Sequence, residues 1–444
     1  MKSFKRLAVI ILVLLLAIIA FQYPKLTIIS GYAAKNMASS AFVAGRSVAS
    51  IAANDNNVPM IKLAETEVNK KEKSVTASVL SLMQRKAICR DGLGCALVIK
   101  GADRIETRIK PDRLLTANPL PFPYGNGEAR DTIFPEVNYK QLEAAINKAF
   151  DNPEVQNTRT LLVAYKDQIL SERYEEGFGP QTPILGWSMT KSVLATLFGI
   201  LEYQGRIDLN SPAPVNSWQQ DMRKDITLNH LLRMQSGLSW EEDYTKISDV
   251  TRMLFMSADM TKLQEDKEAL AKPGDIWNYS SGTSNLLSGV LREQFPSHQD
   301  YLNFPYQELI DKIGMSTMLI EADLSGNFVG SSYAWASTRD WAKFGLLYLH
   351  NGHWNGEQLF DKNWVAYISR PTAHSDGTYG AHFWLNAEGK YPGVPRDLYS
   401  ANGYQGQYVF IIPSKDLVIV RTGLAEPPDF DLNTFLKEIV AAFP

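Results

Sequence analysis

Cysteine is almost missing from this chain of 444 residues: Cys89 and Cys95, in the stretch CRDGLGC, are the whole complement. Neither has a histidine nearby, and two thiols alone make a poor metal site, so no metal and no cofactor is expected. The six histidines are scattered. H-E-x-x-H, paired Cys-x-x-Cys, G-x-S-x-G and a phosphate-binding loop are all lacking, which excludes zinc proteases, the nucleophile elbow and P-loop chemistry. Dense basic clusters are lacking too. The formal net charge is −3, and Lys and Arg are dispersed outside the N-terminus and the mixed run Asn69 to Lys73. That leaves no nucleic-acid footprint and makes a small molecule or short peptide the expected partner.

One long apolar run is present, Leu7 to about Tyr23, behind the basic head MKSFKR. It reads as an export signal over residues 1–23, either cleaved or kept as an inner-membrane anchor. The missing small-x-small site after Ala20 favours the anchor, with the rest of the chain periplasmic or extracytoplasmic and touching the membrane through this segment only. In an exported chain, Gly92 and Gly94 allow the tight backbone that a Cys89–Cys95 disulfide requires; a pair of free thiols is the alternative.

Residues 24–135 read as an irregular extension ending in the proline-rich linker TANPLPFPYGNGEARD. From residue 136 to 444 the pattern sharpens. VNYKQLEAAINKAFD sets Leu142, Ala145, Ile146, Ala149 and Phe150 on one helix face, and TRTLLVAYKDQILSERY is a hairpin turning at Lys166-Asp167. Near the other end, QYVFIIPSKDLVIVRTG supplies two more strands, followed by a helix with Leu432, Phe435, Leu436, Ile439, Val440 and Phe443 on one face. Strands near both ends of the domain and helices between them predict an α+β fold, an antiparallel sheet assembled from both termini and flanked by helices.

In GWSMTKSVLA, Ser188 precedes Lys191 by three residues at the head of a helix whose stripe is Val193, Leu194, Leu197, Phe198 and Leu201 and whose stop is Gly205. One turn separates the pair, so the amine can reach the hydroxyl. Partial burial would lower the lysine pKa and let a neutral amine take the serine proton. Taken alone, the pair reads first as an N-cap serine followed by a lysine. Its company is KPGDIWNYSSGTSNLL, where Tyr279 precedes Ser280, Ser281, Gly282 and Thr283, small polar residues suited to a tight loop that presents a phenol and a hydroxyl; a phenolate there can act as base. SANGYQGQYVFIIP adds a bare strand entry at Gly403 and Gly406, where the Tyr404 amide can join the Ser188 amide as an oxyanion hole.

Ser-x-x-Lys, Tyr-x-Ser and a glycine-bearing strand entry, in that order, resemble the serine β-lactamase and penicillin-recognising superfamily, in its class C and esterase branch. LEYQGRIDLNSPA, ITLNHLLRMQSGLSW and AWASTRDWAKFGLLYLHNGHWNGEQL agree with this over about residues 136–444. The resemblance implies a β-lactamase-like domain, the sheet joined by an all-helical subdomain with the site between them. Ser188 would be the acylated nucleophile, Lys191 and Tyr279 its proton-transfer partners, and Ser281, Asn402 and Gly403 substrate-binding. Tyr-x-Ser looks more like the 6-aminohexanoate-dimer hydrolases and related esterases than like relatives with Tyr-x-Asn. Ala401-Asn402-Gly403 stands where lactamases carry Lys-Thr-Gly, and losing that cation weakens recognition of penicillin-like acids. Arg421-Thr422-Gly423 matches by letters only, on the returning strand. His230 is structural in this pattern, and His382 is a guess at a cleft-lining residue.

The expected function is an exported serine hydrolase acting on a small ester or amide, including amino-acid oligomers. A peptidoglycan D,D-peptidase or β-lactamase is the second expectation, and a membrane-anchored sensor acylated without turnover is the third. Glu241, Glu242 and Asp243, in the helical insert, read either as a solvated acidic loop or as a welcome for a cationic group.

Overall fold

Apolar alternation in the strands splits the domain into two cores. In strand Thr158–Tyr165, Leu161, Val163 and Tyr165 enter one core while Leu162 and Ala164 enter the other; Tyr408, Phe410 and Ile412 alternate with Val409 and Ile411 in the same way. A strand buried on both faces needs helices on both. This computed structural model of the protein describes residues 23–102, 109–115, 118–127, 130 and 132–444. The export segment therefore lies, apart from Tyr23, outside the described residues. Among those residues, no helix is long and apolar enough to cross a membrane.

The central sheet is six-stranded and antiparallel, in the order Trp384–Leu385, Tyr399–Gly403, Gln407–Ile412, Leu417–Gly423, Thr158–Tyr165, Gln168–Tyr174. The expected joining of the two termini is the pairing of Leu417–Gly423 with Thr158–Tyr165. The hairpin turns at Lys166 and Asp167, both with positive φ, +45° and +63°, the two-residue geometry that matches strand twist. Helices Tyr139–Lys148 and Leu432–Val440 pack together over one face. Helices Met189–Tyr203 and Thr338–Leu349 cover the other, with Gly345 pressed against Val418 and Val409. Helix Met189–Tyr203 is buried all round from Met189 to Leu201, between the sheet and the helical region that includes Leu228–Leu232, Asp249–Met256 and Ser281–Glu293. An element in that position is held rigidly.

Residues 24–97 of the extension are more regular than the sequence suggests. A helix over residues 23–42 packs beside a four-stranded antiparallel sheet, Ala64–Asn69, Ser74–Val79, Leu82–Arg90 and Gly94–Leu97. Strands such as AETEVN and LMQRKAICR are rich in charged residues and largely exposed along one face, which hid them. Cys89 and Cys95 are cross-strand partners and form a disulfide. Glu321, from the main domain, stitches this layer on: it accepts from Lys35 Nζ (2.6 Å), Ser39 Oγ (2.8 Å), the Cys95 amide (2.7 Å) and Trp335 Nε1 (2.9 Å).

Candidate active site

Ser188 occupies the N-cap position of helix Met189–Tyr203, yet its hydroxyl caps no amide. It instead meets Lys191 Nζ at 2.9 Å, the contact that their spacing in GWSMTKSVLA makes available. The preceding residue, Trp187, holds φ at +47°, a left-handed conformation that costs a bulky side chain of order 1–3 kcal/mol. Aromatic rings confine it: Tyr404 at 5.5 Å, Tyr244 at 6.2 Å, Tyr333 at 6.2 Å and Tyr32 of the N-terminal helix at 6.4 Å. The turn that presents Ser188 is thereby fixed by four distant segments.

Lys191 is buried, and its amine has three partners at 2.9 Å: Ser188 Oγ, Ser281 Oγ and the Ser331 carbonyl. Burial brings the amine down to about 8, against a smaller opposing pull from Glu242. The Tyr279 ring lies 4.9 Å from the amine. Burial drives the Tyr279 phenol far above its ordinary value and the Glu242 charge adds to this, while a hydrogen bond with Ser188 opposes both. The phenolate envisaged from sequence is therefore not the resting form; Tyr279 stands protonated and the lysine is the group near neutrality. The tight loop expected at Ser280 to Thr283 is instead a helix start. Ser280 caps helix Ser281–Glu293 through the Thr283 amide, and Gly282 lets the helix lie against Trp240, whose ring a Cβ would meet at 2.4 Å.

The strand entry does come alongside. A Cβ on Gly403 would stand 2.0 Å from the Gly186 carbonyl, so only glycine admits this approach to the nucleophile turn. Among the described residues, neither the Ser188 nor the Tyr404 amide donates a hydrogen bond. The Asn402 Oδ1 is buried without a partner among those residues, and Ala401 is buried and offers no cation. Arg421 is spent inside the fold, donating to the Gly406, Ala425 and Gln156 carbonyls.

Neither histidine belongs to this arrangement. His230 completes a capping box with Thr227. His382, expected at the cleft, is buried with Nδ1 on the Leu232 carbonyl and Nε2 on Ser284, and burial pushes it down to about 3. It packs behind the nucleophile helix as a neutral ring.

Sequence reasoning missed the Ser331 carbonyl, for which no side-chain signal exists, and the two aromatic walls. One wall is Trp187 with the stacked pair Tyr244 and Tyr404, 5.0 Å apart; the other is Tyr279 with Tyr379 and Trp384 at 5.8 and 5.4 Å. Of the three acidic residues, Glu241 is exposed and pairs with Lys246, Asp243 bonds Thr245, and Glu242 turns inward to Ser281.

Comparison with known proteins bears on the family and the fold. A family model described as Beta-lactamase matches residues 156–440. The 6-aminohexanoate-dimer hydrolase of Paenarthrobacter ureafaciens is 24% identical over 331 residues, covering 68% of this chain and 82% of that one. Among solved structures, a family VIII carboxylesterase superposes with TM-score 0.56 at 16% identity, over 71% of this chain and 99% of the other. A penicillin-binding protein homologue from Caulobacter crescentus gives 0.55 at 15% identity, with the same coverage of 71% and 99%. These structural likenesses speak to the fold.

Proposed function

We propose, from the premise that the chain belongs to the Beta-lactamase family and is a serine hydrolase, that it hydrolyses a small ester or amide through an acyl-enzyme on Ser188. The observation that carries the reading is the buried Lys191 amine, brought down to about 8 and 2.9 Å from a serine hydroxyl that caps nothing.

Neutral Lys191 takes the Ser188 proton as Oγ bonds to the substrate carbonyl carbon, and the carbonyl electron pair moves onto oxygen, facing the Ser188 and Tyr404 amides. The protonated lysine returns the proton through the Tyr279 hydroxyl to the departing alcohol or amine as the tetrahedral centre collapses. Water then attacks the acyl-enzyme by the same route in reverse. The aromatic walls favour a substrate with an apolar body, and Asn402 Oδ1 is free for a substrate N–H or O–H donor. Likeness to the 6-aminohexanoate-dimer hydrolase supports amides between amino-acid units among the substrates. Ala401 argues against penicillin-like acids as good substrates. Export is part of the proposal, supported by the Cys89–Cys95 disulfide, which persists in oxidising compartments.

Intact-mass spectrometry after a fluorophosphonate probe, with turnover of p-nitrophenyl esters and a peptidoglycan stem peptide alongside, tests it. One adduct is expected, lost in Ser188→Ala together with at least about 10³-fold of ester turnover. Full hydrolysis by Ser188→Ala would sink the proposal. A stable adduct without steady-state turnover would move the protein to the sensor reading, and release of D-alanine with inert esters to the peptidase one.

A further inference from the structure

Glu242 lies in the segment WEEDY, away from the nucleophile, and the mechanism above makes no use of it. Its carboxylate nevertheless reaches the centre of the site: Ser281 donates its hydroxyl to Oε1 and its amide to Oε2 at 2.9 Å. Trp240 Nε1 donates to Oε2, and the Tyr244 hydroxyl lies 3.4 Å from Oε1. The carboxylate is thus held by two aromatic residues of its own segment and by Ser281, and is aimed at the hydroxyl that touches Lys191.

A neutral amine has two hydrogens and one lone pair, and Lys191 has three partners. The Ser331 carbonyl can only accept, so it takes one hydrogen. Ser281 is ambiguous by itself: a hydroxyl can accept the second hydrogen, or it can rotate and donate its own hydrogen to the lone pair. In the second arrangement the lysine has no lone pair left for the Ser188 proton.

We infer that Glu242 is a positioning residue that locks the Ser281 hydroxyl as an acceptor toward Lys191, so that the one lone pair of the amine is directed at Ser188. The inference rests on the serine-hydrolase reading and deepens it. With the Ser281 hydrogen committed to the carboxylate, both lysine hydrogens are absorbed, by Ser281 and Ser331, and the remaining tetrahedral direction is the one occupied by Ser188 Oγ. No atom of Glu242 need touch the substrate. A serine in the Tyr-x-Ser stretch therefore works as a two-residue unit with Glu242, since the single hydroxyl cannot define its own direction. The titratable groups facing Lys191 are Glu242, Tyr279 and His382, and those facing Glu242 are Tyr244, Tyr279, Tyr379 and Lys191. Of these, Glu242 is the anion that opposes the burial of the lysine charge.

The test compares the full chain with Glu242→Gln, Ser281→Ala and the double variant, reading kcat, KM and the pH profile on an ester that the wild type turns over, with fluorophosphonate labelling of Ser188. The glutamine keeps the shape and the acceptor for Trp240, but its amide nitrogen can donate to Ser281 and release the rotor. Glu242→Gln is expected to lower kcat by about tenfold to a hundredfold with KM little changed. It should also move the acid limb of the profile to lower pH, because the charge that raises Lys191 is gone. In the Ser281→Ala background, which has no rotor to lock, the same change is expected to alter kcat by no more than about twofold. An unchanged kcat and acid limb in Glu242→Gln overturns the inference, as does an equal loss with and without Ser281. A wild-type chain that neither labels at Ser188 nor turns over overturns the reading beneath it and the inference together, whereas labelling and turnover that are indifferent to Glu242 remove the inference alone.

Discussion

Lys191 is the residue on which burial and a neighbouring charge act in opposite directions. Burial disfavours its charge, while the Glu242 carboxylate pulls more weakly the other way. Because the base must be neutral, ester turnover is expected to rise with pH through a single acid limb near 8, the value to which burial brings the amine. A kcat/KM profile from pH 5 to 10 checks this, and a flat profile across pH 7 to 9 would exclude Lys191 as the base. Tyr279 is driven the opposite way and stays protonated over the same range, so no second limb near neutrality is expected from it.

At the scale of elements, the nucleophile helix, the helix Ser281–Glu293 and the strand Tyr399–Gly403 each bring one part of the site, and their mutual distance is set where side chains are smallest. Gly403 is such a contact, with no room for a methyl group against the Gly186 carbonyl. Gly403→Ala is expected to push the strand away from the Ser188 turn and to lower kcat by about 10²-fold, the scale of a misplacement of about 1 Å. Steady-state kinetics together with a thermal melt check it: a large kcat loss with a small Tm change marks displacement, and unchanged kinetics would show that the strand entry takes no part in the oxyanion site. The two helices were legible from their apolar periodicity, whereas Tyr399–Gly403 was read only as a glycine-bearing entry to the last hairpin. The closeness of the three was not legible, because nothing local to Gly403 refers to Gly186.

For the molecule as a whole, the N-terminal layer is bound to the main domain through two buried ion pairs, Lys35–Glu321 and Asp55–Arg159, through Arg90 on the Asp323 carbonyl, and through Tyr32 against Trp187 and Phe255. Lys35 and Glu321 are both buried, and Lys35 also stands 3.9 Å from the Tyr333 ring centroid. Removing one member of a buried pair leaves an uncompensated charge, so Lys35→Met is expected to destabilise the chain by about 3–5 kcal/mol. Denaturant unfolding checks this. A loss below about 1 kcal/mol would show that the layer is docked by its apolar face and that the ion pair is incidental. The family match begins at residue 156, so this layer stands outside the matched region while still packing against the turn that carries the nucleophile.

The sequence by itself determined whatever acts over short range or repeats along the chain. Ser188 and Lys191 sit one helical turn apart, the β-rich runs TRTLLVAY and QYVFIIP mark strands, and the order of three motifs points to one family. Tertiary structure alone decided the long-range terms: which hydroxyl accepts and which donates around Lys191, that Glu242 faces inward while Glu241 and Asp243 face out, that Trp187 is caged in a left-handed turn, and that residues 23–97 form a packed layer of helix and sheet. The physical reason is that a hydroxyl takes its hydrogen-bond direction from the groups packed around it, and an amine takes its charge from its burial. Burial at each of these positions is made by segments tens to hundreds of residues away.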